Sequence, residues 1–408
     1  MSLIYQFYLN FIKKFTIKKL NFIFLIIFFS PIFIFVVLLR PLIVVRFGIF
    51  DIARIGIISS AEHHLLHDLK KKKLNSIDIW FIDSNIYNKQ LLIMLKRKFF
   101  IVSKISIFYK TLQLLAKYIN LFSIHIITLY KGACRLDRSS CILKLTNKEI
   151  QEGEKYLKNF GIPTNAKIIC LTLRDNLYLK KKFPSENFSY HNYRDVDVKN
   201  FIPAIKALLK KNFYVIRMGR ESRKRLNIKN KKFIDYPFHS NRNDFMDIFF
   251  AYKCYFWICG NNGLDQVATT FRKPLIDLNI IPVSSLKITS KKTLLCLKIH
   301  KNYKNKKLSL SEIFNYGVEK STRSDEFKKK KVKLSELNSK QIKDIVLEML
   351  NFMRKSWKIT NKKELKLINK FSKIYLKKSH LIDPKFKYKI NAIYSPIFLK
   401  KNPWFLRN

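Results

Sequence analysis

The chain has 408 residues, of which 80 are Lys or Arg and 28 are Asp or Glu, so its formal charge is +52. A single hydrophobic core rarely serves a chain of this length, which predicts two domains. The basic residues are spread along the whole sequence, and no helix-turn-helix, zinc-finger or RNA-binding motif accompanies them. The composition therefore argues against specific nucleic-acid binding and favours anionic ligands and an anionic membrane surface as partners.

Residues 1–46 are predicted to be a membrane anchor. An uncharged apolar run over 20–39 is long enough to cross about 30 Å of hydrocarbon. Basic residues flank it on both sides, so the charge distribution leaves its orientation open. Ser30-Pro31 lies in the middle of the run and predicts either a kinked spanning helix or a re-entrant hairpin. We favour the hairpin, because it keeps both flanks on the cytoplasmic side.

Residues 47–160 are predicted to form a first α/β domain, because short apolar runs alternate with amphipathic stretches as in a parallel sheet. Segments 61–73 and 107–120 are long enough for crossover helices. Thr146 and Glu149 form a capping box that begins a helix ending near Gly161, where we place the domain boundary. The predicted strands are ARIGIIS, IDIWFID, FFIVSKI and IHIITLY.

Residues 161–320 repeat the alternation and predict a second α/β domain. Its expected strands are KIICLTL, FYVIRMG, YFWICG and PLIDLN, separated by helices over 198–211, near 243–252 and from 263. Ligands of such sheets bind at the carboxyl ends of the strands. The remaining segment, 321–408, is interpreted as a Lys-rich solvated linker at 326–333 followed by a C-terminal helical region with an amphipathic helix over 339–355.

The six cysteines are predicted to be reduced and structural. No two of them have the two-residue gap expected of zinc or redox sites. Cys170 and Cys259 fall in apolar runs, where a free thiol behaves as a small hydrophobic group.

The segment Cys259-Gly-Asn-Asn-Gly-Leu-Asp-Gln266 is the strongest candidate ligand-binding motif, because a buried strand breaks there into a Gly-bounded turn that enters a helix. Glycines allow close approach of the backbone, and free amides at a helix start attract phosphate. Asn262 and Asp265 are candidates for accepting hydrogen bonds from hydroxyl groups. The alternative is that Asn262 only caps the helix and Gly263 only packs. The candidate binding residues of this motif are Gly260, Asn261, Asn262, Gly263 and Asp265.

Three arginines at strand ends or in a loop of the same half suggest an anion site. Arg174 ends an apolar strand and is suited to a bidentate phosphate contact, with Asp175 as a partner or base. Arg194 lies in the loop 190–197 with His191, and Arg217 ends another apolar strand. Taken singly, each arginine is equally well explained by a structural ion pair, and His191 by an ordinary loop residue. Together they make anion binding the better interpretation.

In the first half, Glu62 and His63 are the candidates for acid-base chemistry. His63 and His67 have the spacing of neighbours on one helix face, which a metal site also uses. Only one carboxylate lies before them and no second cluster completes a site, so a helix face without chemistry is the main alternative and no metal is predicted.

Taken together, these motifs resemble a bacterial family of inferred glycosyltransferases that are encoded near surface-polysaccharide genes. The matching segments span about residues 46–402. They are ARIGIISSAEHHL, LTLRDNLYL, HNYRDVDVKNFIPAIKALLKKNFYVIRMG, CGNNGLDQVATTFRKPLIDLN, IKDIVLEML and SPIFLKKNPWFL.

The resemblance implies an α/β fold with two Rossmann-like domains facing a cleft, as in GT-B enzymes. The C-terminal domain would then hold a nucleotide-sugar donor and the N-terminal one a glycan or lipid-linked acceptor. The implied activity is metal-independent hexosyl or deoxyhexosyl transfer without a cofactor, in which Arg residues stabilise the leaving diphosphate. We expect the protein at the bacterial inner membrane with its catalytic part in the cytoplasm. The alternative is a non-catalytic membrane scaffold for polysaccharide assembly.

Overall fold

The computed structural model describes residues 3–69, 75–82, 86–103, 106–129, 139–174, 177, 187–260, 262–384 and 389–407, and only the backbone of 3–20, 103 and 106. The chain divides into two compact units, residues 1–131 and 132–408. Each unit contains a parallel sheet, so the predicted α/β class is confirmed. The division falls earlier than the predicted boundary near residue 160.

Helix α1 runs from Leu3 to Leu38 without a break. Pro31 lies inside it and leaves the carbonyl of Ile27 without its usual helical donor, but the Ser30 hydroxyl donates to that carbonyl at 2.7 Å. The expected re-entrant hairpin is therefore wrong, because a side-chain hydrogen bond compensates for the proline. Residues Asn21–Leu38 are long and apolar enough to cross a membrane by length and composition alone.

The described part of unit 1 contains three parallel strands, β1 (Val44–Phe50), β2 (Ser76–Ile82) and β3 (Phe100–Ser103), in that order across the sheet. Gly48 lies in β1 where a Cβ would come within 2.5 Å of the Trp80 ring, so the glycine allows Trp80 to pack across the strand. The helices are α2 (Ile57–His63, continued by a π-helical turn over His64–Asp68), α3 (Lys89–Lys96) and α4 (Ser106–Tyr118).

Two of the four strands predicted in this half are confirmed, those at 77–83 and 99–105. The strand predicted at 53–59 is wrong, because the chain enters α2 at Ile57 and the first strand lies earlier, at β1. Of the segment 124–130, only Ile126 pairs with a strand, through an isolated bridge to Phe47, within the described part of unit 1.

The described part of unit 2 contains a sheet of seven parallel strands. The inner strands are buried on both faces, which explains their continuous apolar sequences. The strands are β4 (Ile168–Thr172), β5 (Tyr214–Met218), β6 (Phe233–Asp235), β7 (Phe256–Cys259), β8 (Leu275–Ile280), β9 (Thr293–Leu297) and β12 (Ile393–Tyr394), beside an antiparallel pair, β10 (Ile299–Asn302) and β11 (Val332–Ser335). Their order across the sheet is β12-β9-β8-β7-β4-β5-β6. All four strands predicted in this half are confirmed.

Helices cover the large sheet, and most begin at a polar cap. Thr146 and Glu149 form the predicted capping box of α5, which belongs to unit 2 because Gly153 packs against Phe249 and Glu154 pairs with Lys253 at 2.8 Å. The helices are α5 (Asn147–Lys158), α6 (Ile202–Lys210), α7 (Asp244–Lys253), α8 (Asp265–Thr270), α9 (Leu310–Asn315), α10 (Ser324–Lys329), α11 (Ser339–Arg354), α12 (Lys362–Lys378) and α13 (Pro396–Lys401).

The C-terminal region is part of unit 2 rather than a linker and a tail. Phe327 of α10 is 2% exposed, so the Lys-rich stretch folds onto the unit, and the expected solvated linker is wrong. The amphipathic helix predicted over 339–355 is confirmed as α11, whose apolar face is buried in the unit 2 core. The edge strand β12 pairs with β9 and completes the sheet.

Candidate functional site

The strand order of unit 2 creates a topological switch point between β4 and β7. After β4, the chain adds β5 and then β6 on one side of β4. It then returns and adds β7 on the other side of β4, followed by β8 and β9. Ligands of open α/β sheets bind outside the carboxyl ends of the strands at such a point. Arg174 follows β4, and Gly260 and Asn262 follow β7, so the described residues of both predicted motifs lie at this position.

Arg174 and Arg194 lie close together beside the switch point. The Arg174 Nε lies 3.4 Å from Asp195 Oδ1. Burial lowers the pKa of the Arg194 guanidinium below its ordinary value, and the positive charge of Arg174 lowers it further. Burial raises the pKa of Asp195, while Arg174 opposes that rise. The two partly buried guanidinium groups therefore interact electrostatically with each other and with the Asp195 carboxylate.

A cavity of about 550 Å³ adjoins this cluster. Lys298 enters its wall directly after β9 and donates hydrogen bonds to the carbonyls of Tyr193 at 2.9 Å and Asp195 at 2.8 Å. Burial lowers the pKa of Lys298 below its ordinary value. Glu336 accepts hydrogen bonds from the Asp197 amide at 2.9 Å and from Asn200 at 3.2 Å. The lining residues are Asn192, Tyr193, Asp195, Val196, Asp197, Arg223, Lys298, Leu334 and Glu336.

Asn262 forms the turn between β7 and α8. Its Oδ1 accepts hydrogen bonds from the amides of Leu264 at 3.1 Å and Asp265 at 3.4 Å, as in the capping alternative. Its Nδ2 is buried and makes no hydrogen bond to any described residue. Gly260 approaches β8 closely, since a Cβ there would lie 3.1 Å from the Leu278 carbonyl oxygen. The turn therefore keeps one amide donor available, and Gly263 at its centre is exposed.

Asp265 is 1% exposed and forms an ion pair with Lys287, which also lies 3.7 Å from Asp277. Burial would lower the pKa of Lys287, but the two carboxylates and Cys259 raise it above its ordinary value. The donor atoms of Cys259, Asp265 and Asp277 lie within 4.8 Å of one another, close enough to share a metal ion. Because the Lys287 ammonium already pairs with both carboxylates, the cluster is better explained as a buried ion-pair network.

Arg217 is 2% exposed, and its donors are engaged inside unit 2. Its Nη1 donates to the Lys224 carbonyl at 2.7 Å and lies 3.2 Å from Asp235, and its Nη2 contacts Ser222. We therefore assign Arg217 to anchoring the loop after β5 and leave it out of the anion site. The His191 ring packs against Tyr190, with ring centroids 4.1 Å apart, in the loop that carries Arg194.

Glu62 and His63 lie at the end of α2 in unit 1. Glu62 is fully buried, whereas the His63 side chain is 18% exposed. His63 Nδ1 lies 3.9 Å from Asp68, and its ring packs 4.6 Å from that of His67. Of the two candidates for acid-base chemistry, only His63 presents surface to solvent.

Two predicted residues, Asp175 and Asn261, lie outside the described residues. Conversely, Lys298 and Glu336 line the cavity although sequence reasoning missed them. Lys298 had a usable signal, because it ends the apolar run TLLCL as Arg174 ends its own strand. Glu336 had none, since it reaches the cavity from the segment after the short antiparallel strand β11.

No family model and no curated protein sequence matches the chain. Among solved structures, a family 9 glycosyl transferase from Veillonella parvula aligns with 75% of this chain and 97% of its own, at 9% identity and a TM-score of 0.45. ADP-heptose heptosyltransferase II of Escherichia coli aligns with 62% and 90%, at 10% identity and a TM-score of 0.35. The UDP-GlcNAc 2-epimerase of Methanocaldococcus jannaschii, in complex with UDP-GlcNAc and UDP, aligns with 75% and 99%, at 12% identity and a TM-score of 0.28. Similarity this distant does not define an activity, which must be argued from the residues themselves.

Proposed function

We propose that the protein is a glycosyltransferase that transfers a sugar from a nucleotide-sugar donor to a surface polysaccharide or glycolipid. The observation that carries the proposal is the position of Arg174 just after β4, at the switch point of a parallel sheet, where it pairs with Asp195 and interacts electrostatically with Arg194. A donor diphosphate would add a second anionic partner for Arg174 beside Asp195. The adjoining cavity, of about 550 Å³, has the volume of a small-molecule site.

In the proposed mechanism, Arg174 and Arg194 neutralise the diphosphate as its bond to the sugar breaks. The Nδ2 of Asn262, which has no hydrogen-bond partner among the described residues, donates to the same anion. Lys298 and Glu336 contribute an ammonium and a carboxylate to the cavity, and the carboxylate is suited to accept hydrogen bonds from sugar or ribose hydroxyls. The bond formed joins the anomeric carbon to an acceptor oxygen, and the nucleoside diphosphate leaves with the bonding electron pair.

The acceptor hydroxyl must lose its proton, and the base that removes it remains a hypothesis. His63 is the better candidate because its side chain reaches solvent, whereas Glu62 is enclosed and suits a positioning role. A His63→Ala variant is expected to lower kcat by roughly 10²- to 10⁴-fold while donor binding is retained. Unchanged turnover in that variant would remove His63 from the mechanism.

We further propose that the transfer needs neither a metal ion nor a cofactor and takes place at the cytoplasmic face of the bacterial inner membrane. Arg174, Arg194 and Lys298 supply positive charge that a divalent cation provides in other phosphate sites. Transfer that continues at full rate in the presence of EDTA is the expected result. Loss of activity in EDTA, restored by one added metal ion, would contradict metal independence.

Donor binding is tested by thermal shift of the full-length protein in detergent with UDP, GDP, CMP and dTDP and their sugars. One nucleotide class is expected to raise the Tm, since a ligand that binds only the folded state stabilises it. Arg174→Ala, Arg194→Ala and Asn262→Ala are each expected to weaken Kd by about 10- to 150-fold, because each removes a hydrogen bond of roughly 1.5–3 kcal/mol to a charged ligand. Arg407→Ala is the matched control, because Arg407 is exposed in the same unit.

A shift that the three variants abolish and the control retains supports the proposal and identifies the donor base. Turnover is then measured as release of that nucleoside diphosphate in the presence of bacterial envelope glycolipids. No shift with any nucleotide, from protein that unfolds cooperatively, would contradict the proposal and favour the membrane scaffold instead.

A further inference from the structure

The apolar helix α1 has two faces with different environments. One face carries Phe29, Phe33 and Val36, all less than 8% exposed, and these side chains belong to the core of unit 1. The other face carries large apolar side chains that are exposed by about half or more. These are Ile23, Phe24, Ile27, Phe28, Ile34, Phe35 and Leu38.

The buried face is built into the fold. The Phe108 ring of α4 packs against Phe29 and Phe33 with ring centroids 5.1 and 5.4 Å apart. Phe108 in turn packs against Phe47 of β1 and Phe81 of β2, at 4.9 and 5.8 Å. Helices α1 and α4 therefore cover the same face of the small sheet. The segment that is apolar enough to span a bilayer is also a structural layer of unit 1.

This packing conflicts with a transmembrane position. Phe29 lies at the middle of the apolar segment Asn21–Leu38, so a spanning α1 would place Phe108 near the bilayer centre as well. Lys110 is exposed one half-turn further along α4 and would be carried into the hydrocarbon with it. Charged side chains and open sheet edges are costly there. Withdrawing α1 from unit 1 would instead expose the aromatic core that it covers.

The same layer also has the charge and the apolar surface that an acidic lipid surface recognises. On α4, the side chains of Lys110 and Lys117 are exposed beside exposed apolar groups. Those apolar groups are Ile107 at 47%, Leu114 at 40% and Tyr118 at 81%. Arg40 is partly exposed just beyond the end of α1. An apolar face flanked by Lys and Arg is the pattern of helices that lie in the interface of anionic membranes.

We propose that α1 binds anionic phospholipid membranes monotopically: it lies in the plane of one leaflet, with its exposed face in the headgroup and upper acyl region, while its other face stays packed in unit 1. The bilayer is then the partner that covers the apolar surface. This inference does not depend on glycosyl transfer, because it uses only residues of unit 1. It keeps both ends of α1 on one side of the membrane.

Depth measurement separates the lying helix from the spanning one. Phe28→Trp and Leu38→Trp place reporters on the exposed face, and vesicles of phosphatidylethanolamine and phosphatidylglycerol carry bromine at shallow or deep acyl positions. In a spanning helix, residue 28 lies about 2 Å and residue 38 about 13 Å from the centre of the apolar segment at 1.5 Å per residue. The lying helix predicts equal, shallow quenching of both reporters, relative to the unsubstituted chain with its four Trp. Deep quenching at 28 with shallow quenching at 38 would overturn the proposal.

Topology provides an independent measurement. Sealed inner-membrane vesicles from cells that express the full chain with a tag at each terminus are treated with protease. The proposal predicts that both tags are digested or both are protected, because both lie on one side. One tag protected and the other digested would show a spanning helix and overturn it.

Matched substitutions separate membrane binding from folding. Phe24→Ser and Phe28→Ser alter exposed side chains, so each is expected to reduce vesicle binding on the order of tenfold with little change in Tm. Phe33→Ser alters the buried face and is expected to lower Tm instead. Binding should also weaken in phosphatidylcholine vesicles and in high salt. The proposal would be refuted if the folded protein did not bind vesicles but formed dimers, or bound another protein, through Phe24 and Phe28. That result would favour a protein partner instead.

Discussion

Lys287 is the cation that contacts two carboxylates, Asp265 and Asp277, each 1% exposed at the carboxyl edge of the large sheet. Replacing it by Met keeps a long, flexible side chain of similar reach but removes the positive charge. Asp265 begins α8, and its amide donates to Asn262. The substitution therefore perturbs the turn that the proposed donor contacts.

The expected loss is large because the carboxylates remain buried when their partner is removed. Breaking one side of a buried ion pair typically costs about 3–5 kcal/mol. For a unit of this size, that corresponds to a fall in Tm of roughly 10 °C. Adding Asp265→Asn to Lys287→Met removes one of the two carboxylates that have lost their cation. The double variant should therefore recover a substantial part of the lost unfolding free energy.

Urea denaturation of the single and double variants measures these free energies of unfolding. Lys206→Met is the control, because Lys206 is exposed on α6 and should change stability by less than about 0.5 kcal/mol. Nucleotide-dependent thermal shift of Lys287→Met, measured below its own Tm, should be reduced as the turn loosens. The reasoning is refuted if Lys287→Met is no less stable than the control, or if Asp265→Asn gives no recovery.

Three further predictions concern stability. Burial raises the pKa of Glu348 to about 7, so the folded protein holds a proton that the unfolded chain releases near pH 4.5, and the free energy of unfolding should fall as pH rises between these values. Urea titrations at about pH 5 and about pH 8 measure this fall, and Glu348→Gln should reduce it by roughly 2 kcal/mol. The rest of the fall should persist, because burial also raises the pKa of Asp247 to about 7. An unchanged dependence of the unfolding free energy on pH in Glu348→Gln would contradict the role given to Glu348. Gly48→Ala should cost at least about 1–3 kcal/mol by thermal melting, because its Cβ meets the Trp80 ring at 2.5 Å, and a neutral result would show that the ring moves freely. Thr146→Ala should cost about 1 kcal/mol and Thr146→Ser much less, since a hydroxyl caps α5, and equal losses would point to the methyl group instead.

The sequence predicted the elements of unit 2 better than those of unit 1. In unit 2, buried apolar runs are separated by Gly, Asn and Lys, so strands β4, β5, β7 and β8 were recognisable one by one. In unit 1, the apolar run of α1 continues with little interruption into β1, and no change of periodicity separates a helix from a strand there. The first three residues of β1 were therefore included in the predicted anchor 1–46, and the first strand was placed too late.

Sequence alone also could not distinguish single residues of the candidate site. Arg174 and Arg217 look alike in sequence, because each ends an apolar strand. Arg174 lies two residues past the last residue of β4, whereas Arg217 lies within β5 and stands directly opposite Asp235 of β6. Strand register, which depends on the whole sheet, pairs Arg217 with Asp235 inside the sheet, whereas Arg174 pairs with Asp195, which lines the cavity.

The sequence by itself determined the α/β class, the polar turn after β7, the arginines after apolar runs and the capping box of Thr146 and Glu149, because each depends on neighbouring residues and local periodicity. Only the tertiary structure decided which arginines interact with each other and that Lys298 and Glu336 line the cavity. It also decided that Lys287 pairs with Asp265 and that one face of α1 belongs to a protein core. These features join residues far apart in the chain, and their burial and charge exist only once the strands have been paired and the helices packed.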